Sequence, residues 1–395
     1  MTNINLLLII ALILLFTKGF SIFVKRMHMP QVIGALLAGV LLGPGVFNLV
    51  QPNEIIAAIA EFGVIFLLFT AGLETDFRQL RQSLKSSLLI SVLGIVLALG
   101  GGFAIALLFG KPTFESFFIG VIIASMSTSI TVEALSEMGK LKTKTGTALL
   151  GASIFDDILV IIILAVTMGM GGSSFSFVSL GIILLKIVAF FIFAVIAGFV
   201  VHKFFNWSFN KYGEKKSLTI FAIAYCFLMA YLAELFGLAD ITGAYIAGIA
   251  FCSTRCADFL ETHVHELSYL FFTPIFLANI GLQTSFDGMT GSLVLFTVLL
   301  VVVAILSKII GCGLGAKLSN FTNRESIQIG VGMVARGEVS FIVASKGIAV
   351  GYIGSLMFPS IIVVVLVTVL ITPLLLKAAF ADGKNQPDEE RYQVQ

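Results

Sequence analysis

The chain has 395 residues, of which 58% are hydrophobic and 12% charged, and its mean hydropathy is +1.07. Soluble domains usually carry about 25% charged residues, so the composition excludes a soluble globular protein and indicates a membrane protein. The formal net charge of +2 gives no reason to expect a nucleic-acid partner. We expect neither an enzyme nor a bound cofactor.

A membrane-spanning helix needs about 20 consecutive apolar residues. This criterion predicts an all-α polytopic membrane protein with about thirteen transmembrane helices. The predicted segments are 4–24, 31–50, 55–73, 86–109, 115–138, 145–168, 178–202, 217–236, 240–253, 266–283, 289–316, 325–350 and 354–380.

The basic residues predict the orientation of these helices. One set of alternate loops, with the C-terminal end, holds 18 of the 24 Lys and Arg residues, whereas the opposite loops hold only Lys111. Basic loops face the cytoplasm, so we expect a multi-pass protein of the cell membrane with its N-terminus outside and its C-terminus in the cytoplasm. Residues 381–395 are expected to form a short cytoplasmic tail, with no soluble regulatory domain in the chain.

The fifth segment contains a run of small hydroxyl residues, Ser125–Thr131 (SMSTSIT), at mid-span. Ser and Thr can bond back to their own helix, which would make the run ordinary packing. Such a run can also support an unwound helix whose ends face an ion. The run by itself leaves both interpretations open.

Two aspartates, Asp156 and Asp157, lie near the middle of the sixth segment. A charge at the centre of a membrane span costs about 3 kcal/mol even on lenient insertion scales, so each carboxylate needs a partner or a watery cavity. Adjacent helical residues point about 100° apart. One aspartate is therefore expected to face a cavity and the other a neighbouring helix.

Lys308 lies in the eleventh segment, nine residues before Lys317, which marks the membrane edge. Nine residues of helix rise about 13 Å, a long reach for a lysine that snorkels. We therefore favour an internal carboxylate partner for Lys308.

The twelfth segment places Arg336 and Glu338 in an apolar, glycine-containing helix. Their charges nearly cancel, which fits a structural pair as well as a role in transport. Thirteen segments also divide into six, one linker and six, and an odd linker would invert the second half. Inverted repeats place ion sites at the midplane, where the fifth and twelfth segments would correspond.

Five stretches of the chain carry a family resemblance: Pro30–Gly45 (PQVIGALLAGVLLGPG), Glu61–Glu74 (EFGVIFLLFTAGLE), Leu149–Ile162 (LLGASIFDDILVII), Ser307–Leu318 (SKIIGCGLGAKL) and Val331–Ala344 (VGMVARGEVSFIVA). They resemble the monovalent cation:proton antiporter-2 family, and within it sodium/proton antiporters of the NapA type.

The resemblance implies an NhaA-like fold with inverted six-helix repeats and two unwound crossing helices. It implies a transmembrane antiporter domain over residues 1–380. In that domain, helices at about 4–73 and 217–283 form a dimerisation scaffold, those at about 86–168 and 289–380 form a mobile core, and 178–202 is a linker helix. It further implies a homodimer in contact with membrane lipids and an elevator-type movement of the core.

The resemblance also implies roles for individual residues. Asp157 would be the ion-binding carboxylate that exchanges a metal cation for a proton, and Asp156 would contribute to the same metal site as the partner of Lys308. Ser127 and Thr128 would lie at the unwound crossing. The supporting residues would be Glu338 and Arg336. One departure is Met126, which stands where related sequences often have a hydroxyl residue.

These expectations predict electrogenic export of Na⁺ or Li⁺ in exchange for H⁺. An electroneutral K⁺/H⁺ or Na⁺/H⁺-K⁺ antiporter on the same scaffold is the first alternative. A cation channel or a sensor without coupled transport is an alternative of another class.

Overall fold

The computed structural model describes residues 3–27, 29–171, 177–212, 216–283, 291–354 and 357–381. This part of the chain is helical, with no strand among the described residues. The helices are α1 (Asn3–Arg26), α2 (Gln31–Leu42), α3 (Glu54–Leu73), α4 (Phe77–Leu108), α5 (Thr113–Ala124), α6 (Thr128–Glu137), α7 (Lys144–Gly171), α8 (Phe177–Tyr212), α9 (Lys216–Leu235), α10 (Asp240–Phe251), α11 (Ala257–Leu267), α12 (Thr273–Leu282), α13 (Gly291–Leu318), α14 (Asn323–Gly332), α15 (Glu338–Ala349) and α16 (Phe358–Ala381).

The architecture of an all-helical multi-pass membrane protein is confirmed. Nine helical stretches of the described residues are long and apolar enough to cross a membrane, and α2 and α10 are shorter apolar helices. Two predicted spans are each built from two helices, α5 with α6 and α14 with α15. The C-terminal tail, 382–395, lies outside the described residues.

Several predicted helix ends are wrong, because mean hydropathy does not detect the capping residues and prolines that determine where a helix begins and ends. The second segment was expected to reach residue 50, but α2 ends at Leu42 before Gly43 and Pro44. Proline lacks an N–H and disfavours a helical residue before it. The fourth was expected to begin at residue 86, but α4 begins at Phe77, because the Asp76 side chain accepts hydrogen bonds from the first-turn amides.

Two other boundaries extend beyond the apolar residues. α8 continues to Tyr212, ten residues past the predicted end at 202. The stretch between the ninth and tenth predicted segments was not predicted to be helical, but Ala257–Leu267 forms the amphipathic helix α11. A π-helical turn, Ser268–Phe272, joins α11 to α12.

The helices pack into two groups. The α3 bundle comprises α1–α3 and α9–α12, and the α4 bundle comprises α4–α7 and α13–α16. Helix α8 packs against α7, α9 and α10, and so contacts both bundles. Contacts of α6 with α2 and α3 bring the two bundles together.

Within the α3 bundle, the backbones of α3 and α10 approach closely at two glycines. A Cβ atom on Gly72 would lie 2.8 Å from the Cα of Gly248, and one on Gly248 would overlap the carbonyl oxygen of Phe69. Small residues at a helix interface allow this approach in a membrane. The crossing fixes α10 against α3 on one side of the site described below.

We predict that Gly248→Ala destabilises the protein by about 1–3 kcal/mol, the usual range for overpacking a tight interface. The measurement is thermal unfolding of the purified protein in detergent. Gly100→Ala is the matched control, since a Cβ atom there meets nothing within 4 Å and alanine is the better helix former. Equal melting temperatures for Gly248→Ala and the wild type would contradict the packing argument.

Candidate functional site

Two interrupted helices meet inside the α4 bundle. Residues 125–127 separate α5 from α6, and residues 333–337 separate α14 from α15. The first break lies at the start of the hydroxyl run, and Ser125 and Ser127 both have extended backbone angles there. The ends of four helices therefore face one another, which brings the partial charges of their termini to one place.

The two breaks are held together by hydrogen bonds. The Ser127 amide donates to the carbonyl of Ala335 at 2.8 Å, and the Thr131 hydroxyl donates to the carbonyl of Gly332 at 2.6 Å. Gly337 permits the contact, since a Cβ atom on it would lie 2.6 Å from the Cβ of Ser127. These bonds satisfy backbone groups that a break would otherwise leave unpaired in the membrane.

Arg336 lies inside the second break and is only 1% exposed. Its guanidinium donates to the carbonyls of Met333 and Val334, at the end of α14, and to the carbonyl of Ala304 at 3.0 Å. A cation at a helix C-terminus is electrostatically favourable. The side chain of Glu338 lies outside the described residues, so the expected Arg336–Glu338 pair stays a prediction.

Lys308 and Asp156 form a fully buried ion pair. Lys308 Nζ donates to Asp156 Oδ1 at 2.6 Å, and both side chains are 0% exposed. The expected internal partner is therefore present, and Lys308 does not snorkel in this structure. Gly94 on α4 allows α13 to pack closely beside the pair, because a Cβ atom there would overlap Cys312 Sγ.

Asp157 points to the other side of α7, toward the α3 bundle. It is 5% exposed and lines a small cavity with Thr128 and Ser153 from its own bundle. Thr242 and Tyr245 of α10 form part of the opposite wall. The cavity thus lies between the two bundles, and the two aspartates face different surroundings, as expected from their 100° separation.

Thr128 lines the Asp157 cavity, whereas Ser127 lies in the break between α5 and α6. The Thr128 hydroxyl is buried and has no hydrogen-bond partner among the described residues. The Ser127 hydroxyl lies 3.0 Å from that of Ser129. Met126 is buried in the first break.

Sequence reasoning missed three hydroxyl residues that line this cavity, Ser153, Thr242 and Tyr245. Ser153 precedes Asp157 by one helical turn, so the i, i+4 spacing could have identified it. Nothing local marked the two residues of α10, which come from a different bundle. Carboxylate and hydroxyl oxygens together suit a hard cation, and the cavity offers both.

The fold and the site define a class of membrane protein. Discontinuous helices that cross at mid-span beside buried carboxylates and a buried lysine are typical of secondary transporters. The chain belongs to the transmembrane sodium/hydrogen exchanger family, whose model matches residues 8–381.

Individual relatives agree with this assignment. The chain is 39% identical to the Na⁺/H⁺-K⁺ antiporter GerN of Bacillus cereus over 372 residues, which cover 94% of this chain and 95% of that protein. It is 36% identical to a Na⁺/H⁺ antiporter of Enterococcus hirae over 370 residues, 93% of this chain and 96% of that protein.

Among solved structures, the fold is similar to that of the sodium proton antiporter MjNhaP1 from Methanocaldococcus jannaschii. The TM-score is 0.72 at 18% sequence identity, and the match covers 95% of this chain and 97% of that one. At this identity the likeness shows a shared fold.

We predict that Asp156→Asn and Lys308→Met each destabilise the protein by about 3 kcal/mol or more, since removing one partner leaves a buried charge uncompensated. The double variant should lose much less than the sum of the two, because it leaves neither charge. Melting in detergent, analysed as a double-mutant cycle, measures this coupling.

The matched control is Glu115→Gln, which breaks the partly exposed pair between Lys111 and Glu115 (3.5 Å). Exposed pairs contribute only about 0–1 kcal/mol. Additive effects of Asp156→Asn and Lys308→Met would show that the buried contact is not a stabilising pair.

Proposed function

We propose that the protein is a secondary active antiporter that exports cytoplasmic Na⁺ or Li⁺ in exchange for H⁺. The observation that supports this most directly is the placement of Asp157. It is a nearly fully buried carboxylate in a cavity between two bundles, one residue from a buried lysine pair. Thr128 supplies a hydroxyl oxygen to the same cavity, and Ser127 and Asp156 support the site from the crossing and from the other face of α7.

Coupling follows from competition at one carboxylate. Asp157 binds either a proton or the metal cation, so each displaces the other and no further gate is needed. When the cation enters, the Lys308–Asp156 pair opens and the lysine releases a second proton. Arg336 and Glu338 have a supporting role, in which they stabilise the break between α14 and α15.

Two protons in per Na⁺ out would move one net charge inward per cycle. At ~150 mV this gains about 3.5 kcal/mol, because the potential contributes about 2.3 kcal/mol per charge per 100 mV. Such a gain sustains a sodium gradient of a few hundredfold before any pH difference. Exchange is therefore electrogenic in this proposal.

Access alternates through an elevator-type movement of the α4 bundle against the α3 bundle. The wall of the Asp157 cavity comes from both bundles, so sliding one past the other changes which side the cavity opens to. The two halves are inverted six-helix repeats, in which α5–α6 corresponds to α14–α15. The α3 bundle is the dimerisation scaffold of a NapA-type homodimer in the cell membrane, with the N-terminus outside.

A second candidate is Na⁺/H⁺-K⁺ or K⁺/H⁺ exchange on the same scaffold. GerN, a relative with 39% identity, is a Na⁺/H⁺-K⁺ antiporter, which supports this alternative. Met126 in the first break supports the same alternative, since a thioether there offers a cation no hydroxyl ligand.

We predict that Asp157→Asn abolishes cation-dependent proton movement, because an amide neither releases a proton at working pH nor carries the charge that holds the cation. The measurement is Na⁺-dependent dequenching of a pH dye in everted vesicles. Asp258→Asn, at an exposed position in the first turn of α11, is the matched control and retains exchange. Exchange that persists in Asp157→Asn would refute the site assignment.

Electrogenicity and ion preference are measured with the purified protein reconstituted into proteoliposomes. In proteoliposomes with clamped potential, we expect Na⁺ and Li⁺ to drive proton flux that accelerates as the Na⁺-containing side becomes negative, because one net positive charge moves toward that side in each exchange. K⁺ at the same concentration tests the second candidate. A flux that ignores the potential would establish electroneutral exchange, and cation current at constant pH without proton counterflow would indicate a channel.

A further inference from the structure

Glu133 is a buried carboxylate to which the mechanism above assigns no role. It lies on α6, five residues beyond Thr128, which corresponds to a rise of about 7.5 Å along the helix. Its exposed fraction is 8%. Glu133 therefore lies beyond the Asp157 cavity in the direction of the basic loop at Lys140–Lys144.

Two cavities meet at Glu133. The larger, of about 190 Å³, lies between α1, α2, α6 and α12, and its wall includes Thr17, Lys18, Gln31 and Tyr269. A water molecule takes about 30 Å³ in the liquid, so this space suits a hydrated cation. Polar groups of Ser21, Glu133 and Thr273 reach this cavity between apolar side chains such as Leu14 and Leu277.

The second cavity leads from Glu133 toward the basic end of the molecule. Glu74 and His265 line it together with Glu133. Burial raises the pKa of Glu74, the Glu261 carboxylate raises it further, and Lys142 lowers it. Two carboxylates, Glu74 and Glu133, thus line the space between the basic end and α6.

The contrast with Glu137, one turn further along α6, shows what is unusual about Glu133. The Glu137 carboxylate accepts hydrogen bonds from the first-turn amides of α2, from Gln31 at 2.7 Å and from Val32 at 3.4 Å. Among the described residues, no hydrogen bond or ion pair involves the Glu133 carboxylate, and Lys18 on the same cavity wall forms no salt bridge with it. A buried carboxylate needs compensation from a proton, a cation or water.

We propose that Glu133 forms a second site for a monovalent metal cation, occupied before the ion reaches Asp157. The ligands are the Glu133 carboxylate, the hydroxyls of Thr273 and Tyr269, which line both cavities, and water. The inference rests on the proposed antiport function and names the route by which the ion approaches its exchange site. A fixed negative charge there raises the local cation concentration.

The test compares initial exchange rates against Na⁺ concentration for the wild type, Glu133→Gln, Glu133→Asp and Glu115→Gln. Glu133→Gln should raise the KM for Na⁺ about fivefold, the effect of one charge pair in water-like surroundings, and leave kcat within about twofold. Glu133→Asp retains the charge and should remain near the wild type, as should Glu115→Gln. An unchanged KM in Glu133→Gln would overturn the proposal.

Thr273→Val provides a second variant that removes one oxygen ligand and keeps the carboxylate. It should raise the KM for Na⁺ about twofold without lowering the melting temperature below that of Glu133→Asp. This variant tests the site even if Glu133→Gln fails to fold. A KM equal to that of the wild type would overturn the assignment of the threonine ligand and of the site.

Direct binding separates this site from the exchange site. Purified Asp157→Asn protein should still bind radioactive ²²Na⁺, and Asp157→Asn/Glu133→Gln should bind none above background. Absence of binding in Asp157→Asn overturns the second site and leaves the proposed function intact. Exchange that persists in Asp157→Asn overturns the proposed function, whatever Glu133→Gln does to the KM.

Discussion

The buried ion pair between Lys308 and Asp156 is the interaction on which the rest of the site depends. Two charges with no exposed surface are tolerated in a membrane only if each compensates the other. The pair therefore fixes the face of α7 that meets α4 and α13. Because successive helical residues are about 100° apart, it also directs Asp157 toward the cavity on the opposite side.

The interrupted helices place irregular backbone in the middle of the membrane, where its polar groups need hydrogen-bond partners. Exposed amides and carbonyls cannot be left in hydrocarbon. Here the Ser127 amide donates to the Ala335 carbonyl, the Thr131 hydroxyl donates to the Gly332 carbonyl, and the guanidinium in the second break donates to the Val334 carbonyl. Arg336 thereby neutralises the carbonyl end of α14. The Arg336 guanidinium would be costly to bury alone, but its bonds to backbone carbonyls make it a structural group. The Asp157 carboxylate, in contrast, lines the cavity.

Much of this could be predicted from the sequence because charge in an apolar span is costly. That argument identified Asp156, Asp157 and Lys308 and the need for an internal partner. The same argument did not predict features that depend on helix capping, on amphipathic helices or on packing between distant helices. The Asp76 cap lengthened α4 beyond its apolar stretch, and α11 is amphipathic and escaped a hydropathy criterion. Tyr245 and Thr242 reach the cavity only through the packing of α10 on α3, for which no pairwise signal exists in one sequence.

The hydrogen bonds from the start of α2 to Glu137 join the two bundles at the basic end, and they have a consequence for the resting state. Any arrangement that slides α6 away from α2 gives up these bonds. Because the contact is exposed to water, the loss is about 1 kcal/mol, the typical net contribution of a hydrogen bond. That difference corresponds to roughly fivefold in population. These two hydrogen bonds therefore favour the present arrangement of α6 against α2 by an amount that thermal motion can overcome.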